Sequence, residues 1–214
     1  MQMPLWSGLL LTVLFLAAFV VVRRSEPPAW PLATGPATAA VVLLVARCSG
    51  RSWTEIGLTA RGAGWAAAAA ALTAVVYALA LLIPATRRLF RDPRYRQSIG
   101  RALADALIAV PLATVLVEEA AFRGALWTLL GPAAWATPVL FGLWHVLPGS
   151  RTNAALAGRW ARLATFAFTT AAGVLLALLR VVSGGLLAPF VLHWAVNGLG
   201  VLAGASAARC GSRP

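Results

Sequence analysis

The run Val117-Glu118-Glu119-Ala120-Ala121-Phe122-Arg123-Gly124 places two adjacent carboxylates and an arginine inside an apolar stretch reaching from Ala102 to Leu130. The chain has six acidic residues in 214, and two of them stand here. An ionised group at the centre of a membrane helix costs about 2.5 kcal/mol or more. Such groups persist where they pair, line a wet cavity or do chemistry. Any fold of this chain must therefore hide these charges from lipid and supply them with partners.

The composition says what surrounds them. Hydrophobic residues make up 60% of the chain and charged residues 11%, the balance of a membrane protein rather than of a soluble core. The net charge of +12 is carried by arginine alone, without a lysine. The arginines fall between apolar runs, which fits lipid headgroups. No basic, groove-sized polar face is visible, so nucleic acid is not an expected partner.

Seven apolar runs follow one another, at 6–22, 30–46, 65–85, 102–130, 133–147, 163–182 and 186–207. They predict an all-α fold: a polytopic transmembrane helical bundle of about seven spans, with six to eight compatible with the run lengths. No soluble segment separates them, so residues 1–214 are read as a single membrane domain. The first run has no basic flank before it and no small-residue cleavage pattern, and reads as a retained helix. The fourth exceeds the ~20 residues that cross a bilayer, so it must tilt, bend at Pro111 or protrude.

Counting arginines in alternate connections gives thirteen on one side and four (Arg47, Arg51, Arg61 and Arg180) on the other. The richer side, which includes the dense loop 87–101 and the C-terminus, is expected to be cytoplasmic. Most tryptophans fall near predicted span ends, as an aromatic belt would. Trp144 and Trp194 do not, and each adjoins one of the only two histidines. Cys48 and Cys210 are expected on opposite faces, so neither a disulfide nor a metal site is read from them. No internal repeat of the kind found in transporters with inverted halves is apparent.

Three intramembrane clusters hold the titratable side chains. In the first, Glu119 and Arg123 are four residues apart on one helix face and can pair, which leaves Glu118 for another partner. The second is Phe141-x-x-x-His145 and the third His193-x-x-x-Asn197, each again one helix face. An unpaired polar group is costly in lipid, so the shared solution is one wet pocket built by the fourth, fifth and seventh spans. Two chemistries suit it. Glu118, His145 and His193 are the ligand types of a catalytic zinc with an open position. Without metal, Glu118 and His145 can deprotonate a water while His193 and Asn197 donate to an oxyanion. Both end in hydrolysis of a carbonyl compound, with a peptide bond the natural candidate.

At these residues the chain resembles a known family. Glu118-Glu119-Ala120-Ala121-Phe122-Arg123-Gly124, Phe141-Gly142-Leu143-Trp144-His145 and His193-Trp194-Ala195-Val196-Asn197 look like the three signatures of the CPBP intramembrane proteases. These are relatives of the type II CAAX prenyl proteases, also called the Abi family. The resemblance covers about 102–202 and implies a membrane endopeptidase acting on a peptide or membrane-protein substrate within the lipid bilayer. It implies Glu118 as the water-activating carboxylate, assisted by His145, and His193 and Asn197 as oxyanion or metal holders. Glu119 and Arg123 become a supporting pair. The signatures leave zinc dependence open, and no His-Glu-x-x-His motif is present. Bacterial members of the family include proteases of other substrates and immunity proteins. The alternative is therefore a non-catalytic immunity or scaffold protein of the same family. A proton-coupled transporter would need repeat symmetry that the chain lacks. The lysine-free, Ala/Arg/Gly-rich composition points to a bacterial cell membrane, and so away from prenylated CAAX substrates.

Overall fold

Lipid offers the backbone no hydrogen-bond partner, so each apolar run must close its own ladder. The computed structural model describes residues 3–25, 31–91, 97–146 and 158–210, without the side chains of 23–25, 31, 209 and 210. Trp30, Arg94, Arg96, Arg151 and Arg213 lie outside the described residues. The helices are α1 Leu5–Ser25, α2 Pro31–Cys48, the short α3 Trp53–Ile56, α4 Ala63–Leu82, a composite α5 at 99–130, α6 Thr137–Val146, α7 Arg159–Ser183 and α8 Leu187–Cys210. No strand occurs among the described residues, and the all-α expectation holds. Five described stretches are long and apolar enough to cross a membrane: Leu5–Val22, Ala63–Leu82, Ile99–Val146, Arg159–Ser183 and Leu187–Ala208. A shorter apolar helix, Leu32–Cys48, joins them. The protein is a multi-pass integral membrane bundle.

The stretch Ile99–Val146 is 48 residues long and doubles back on itself. Gly131 sits at φ 54°, which suits glycine, and opens a 3-10 turn, Gly131–Ala136. Along a straight helix, residues 118 and 144 would be ~39 Å apart at 1.5 Å per residue. Instead Trp144 Nε1 lies 3.2 Å from Glu118 Oε1. The expected fourth and fifth spans are thus the two arms of one hairpin. The second arm, α6, has ten residues. That is about 15 Å of helix, roughly half the hydrocarbon thickness.

Helix α5 is the hub: α1, α2, α3, α6, α7 and α8 all contact it. Small residues let the helices approach closely. A side chain on Gly35 of α2 would overlap the Leu112 carbonyl oxygen, and one on Gly142 of α6 would overlap the Thr170 hydroxyl. The shared apolar core joins Leu16 and Phe19 of α1, Val42 of α2, Ile56 of α3, Phe122 of α5 and Phe141 of α6.

The overlong run was expected to tilt, bend at Pro111 or protrude, and around Pro111 the helix is widened. Asp105–Ala109 and Pro111–Val115 are π-helical, as is Ala120–Ala125. The Val110 N–H bonds back five residues to Asp105 O, and Pro111 has no N–H to give. Between them they leave the Ala106 carbonyl without an acceptor role inside the helix. Trp194 Nε1 of α8 fills it at 2.8 Å. Gly198 permits the close approach, since a Cβ there would stand 3.1 Å from the same oxygen. From the other side, the Tyr77 hydroxyl of α4 donates to Val196 O at 2.8 Å.

The connector between α2 and α4 is ordered by its own sequence. Ser52 and Glu55 form a capping box: Glu55 N donates to Ser52 Oγ at 3.2 Å, and Ser52 N donates to Glu55 Oε2 at 2.7 Å. The Ser52 N–H, then its hydroxyl, hold the Glu55 carboxyl below the usual glutamate range, with Arg51 adding to the effect. Gly57, at φ 94°, ends α3. Arg180 Nη2 donates to Glu55 O at 2.7 Å, and Leu186 N to Gly57 O at 2.8 Å. Met3 N donates to Cys48 O at 3.0 Å. The start of the described chain, the connector and the α7–α8 turn therefore share one end of the bundle. Cys48 belongs to this end; Cys210, 23 residues along α8 from Leu187, belongs to the other.

Candidate active site

Arg123 must find its partners inside the bundle, because it is 1% exposed. Nη1 donates to Glu119 Oε1 at 3.1 Å, one helical turn earlier, as the i, i+4 spacing required. Nη2 donates to the Gly173 carbonyl of α7 at 3.3 Å, and the guanidinium lies over the Phe141 ring, 4.2 Å from its centroid. A planar cation with a fixed fork suits three such partners better than a compact ammonium would.

Glu119 Oε1 also accepts from His193 Nδ1 at 2.7 Å. A carboxylate only accepts, so Nδ1 carries the hydrogen. That fixes which ring nitrogen is turned elsewhere: Nε2 faces Glu118 Oε2 at 3.6 Å. The other Glu118 oxygen, Oε1, accepts from Trp144 Nε1 at 3.2 Å. Among the described residues, Glu118 Oε2 receives no protein hydrogen bond, although the residue is only 5% exposed. The π-helical turn at Ala120–Ala125 follows the two glutamates directly and adjusts the register between them and Arg123.

Phe141 is the apolar centre of the site. Its ring touches those of His145 at 4.5 Å, Phe122 at 5.3 Å and His193 at 5.8 Å, besides the Arg123 guanidinium. Glu118, Glu119, Arg123 and His193 thus come together from α5 and α8 as one linked set. His145 joins them through Phe141, whose carbonyl lies 2.8 Å from His145 Nδ1. Asn197 is half-buried on α8, one turn beyond His193 on the same face. The imidazole that meets both carboxylates is that of His193; His145, expected to assist Glu118, packs against Phe141. Two contributors were missed from the sequence. Gly173, a backbone acceptor, left no signal. Trp144 left one: a tryptophan away from the belt and next to a histidine.

The zinc reading needs Glu118, His145 and His193 around one point. Among the described residues, no three His, Cys, Asp or Glu side chains are grouped to hold a metal ion. His193 Nδ1 is committed to Glu119 and His145 Nδ1 to the Phe141 carbonyl, the outer bonds that a metal-bound imidazole makes, so Nε2 of each ring is the nitrogen that would take a metal. The donor types therefore suit zinc, but their placing among the described residues does not gather three of them round one ion.

Residues 100–199 match the family model described as "Type II CAAX prenyl endopeptidase Rce1-like", a match that takes in all six of these polar residues. No curated protein and no solved structure matches the chain. The matched region, the helical membrane fold and the three signatures agree, and together they support a place for residues 100–199 in the CPBP family of Rce1-like CAAX endopeptidases.

Proposed function

We propose that the protein is an intramembrane endopeptidase in which Glu118 and His193 activate a water for attack on a peptide bond. The observation that carries this reading is the 3.6 Å separation of Glu118 Oε2 and His193 Nε2, with His193 held by Glu119. A water between them gives one hydrogen to the carboxylate and one to the imidazole, which leaves an oxygen lone pair for the substrate carbonyl. Glu119 supports the charge that His193 takes on, and Arg123 balances Glu119. The proton passes to the leaving amine as the C–N bond breaks. Asn197, one turn beyond His193 on α8, and His145, packed against Phe141, are the donors assigned to the oxyanion in this reading.

The substrate is a peptide bond in a membrane-held polypeptide, reached from the bilayer. The host membrane is a bacterial cell membrane, with the arginine-rich connections facing the cytoplasm. This reading routes no step through a metal.

The test uses purified wild type and Glu118→Gln in vesicles, with a farnesylated CAAX reporter peptide and an unmodified peptide library. Wild type cleaves one of them. Glu118→Gln lowers kcat by about 100-fold or more, the scale of a general base, while melting in detergent is unchanged. Unchanged activity in Glu118→Gln would overturn the assignment.

A further inference from the structure

We propose that Trp144 is a positioning residue for Glu118: its indole N–H fixes Oε1, so that Oε2 is the oxygen presented to His193. The inference rests on the reading of Glu118 as the water-activating carboxylate.

Glu118 differs from its neighbour in what holds it. Glu119 has a cation four residues on and an imidazole at 2.7 Å. Glu118 is five residues from Arg123, off its face, and the donor that reaches it is Trp144 Nε1 at 3.2 Å. A carboxylate free to rotate about its terminal bond would present either oxygen, or neither, to the water. One N–H donor on Oε1 removes that freedom, and a carboxylate held at one oxygen still has the second for proton transfer.

The donor is itself immobilised. Phe19 of α1 stacks on the indole with an interplanar angle of 14° and centroids 6.5 Å apart. Phe122 of α5 meets it edge-on at 5.9 Å. Tryptophan has two side-chain torsions, and this pair of rings holds both, so the N–H direction is set by packing. Phe19 lies outside the matched region 100–199. The first helix therefore takes part in aiming a group in the site. An indole is also suited to the task because it donates and cannot accept or titrate. It holds the carboxylate without competing for the water's proton.

Packing alone would also explain a tryptophan here, and the experiment separates the two. The indole of Trp144 is replaced by benzothiophene, using β-(3-benzothienyl)alanine at position 144. This keeps the ring shape and the stack on Phe19 but exchanges N–H for sulfur. Cleavage of whichever substrate the wild type cuts, the farnesylated CAAX reporter or a peptide from the unmodified library, is measured in phosphatidylglycerol vesicles beside Trp144→Phe and Glu118→Gln. The expected result is a kcat about 10- to 100-fold lower in the benzothienyl protein, the usual range for loss of an orienting hydrogen bond, with KM within about twofold. Its melting temperature stays at the wild-type value. Trp144→Phe shows the same kcat loss together with lower melting. Full kcat in the benzothienyl protein, with Glu118→Gln inactive, overturns the role of Trp144 and leaves Glu118 as base. Activity retained in Glu118→Gln overturns both.

Discussion

Arg123 and Glu119 are each 1% exposed, and neither can reach water if the other is removed. Breaking such a pair strands a charge in the bundle, at a cost of about 3–5 kcal/mol. Arg123→Met is expected to lower stability by that amount, read as unfolding in detergent. Glu119→Gln added to Arg123→Met should recover part of the loss, because the stranded charge is then gone. This pair was legible in the sequence, since the i, i+4 spacing inside an apolar run admits few other solutions. The choice between the two histidines was not. Both stand on apolar helices, and spacing does not say which ring turns its Nε2 toward Glu118. That depends on Glu119 reaching His193 Nδ1 across 74 residues of chain.

Among the elements, α5 and α8 carry the site, and besides the Glu119–His193 bond an orphaned carbonyl helps to register them. Trp194→Phe removes the donor to Ala106 O. A buried acceptor without a partner costs about 1–3 kcal/mol, and lower stability of that size is expected. Because Pro111 and the widened turn create the orphan, Pro111→Ala lets the backbone regain a donor there. The loss in Trp194→Phe is then expected to shrink in the double variant; equal losses in both backgrounds would refute the coupling. From sequence, Pro111 announced a perturbation and residues 102–130 announced an overlong span. The π-helical turns stayed hidden, because they arise from the ladder's accommodation to Pro111 and to α8 rather than from local propensity. The hairpin at Gly131 was half visible: two runs were separated at the right place, but nothing in composition showed that α6 would stop at ten residues.

At the scale of the whole molecule, alternating runs of apolar sequence foretold the membrane bundle. The contacts at one end agree with the parity of the spans: Met3, the α2–α4 connector and the α7–α8 turn meet there. What composition could not foretell is that this connector is a built structure. The Glu55 carboxyl, held low chiefly by the Ser52 N–H, contributes stability above the ordinary glutamate range, about pH 4.3, and loses it as the pH falls through its lowered folded value. Relative to Glu55→Gln, wild type should therefore be more stable near neutrality, with the advantage fading in acid; a melting series along pH reads the difference. A second prediction concerns the whole catalyst. Because the proposed mechanism routes no step through a metal, incubation with a strong chelator followed by its removal should leave reporter cleavage unchanged, and restoration of lost activity by added zinc would contradict this.

The hairpin of α5 and α6 has a consequence for synthesis. Glu118 and Trp144 lie within one folded-back stretch and can meet as soon as that stretch is inserted. His193 is 48 residues further on than His145 and arrives only with α8. A chain interrupted at the ribosome between the two would hold its carboxylate clamped and idle, with no imidazole opposite. Under the proposed mechanism the order of translation acts as a safety catch, since an unfinished copy would lack the partner Glu118 needs to cut its neighbours in the membrane.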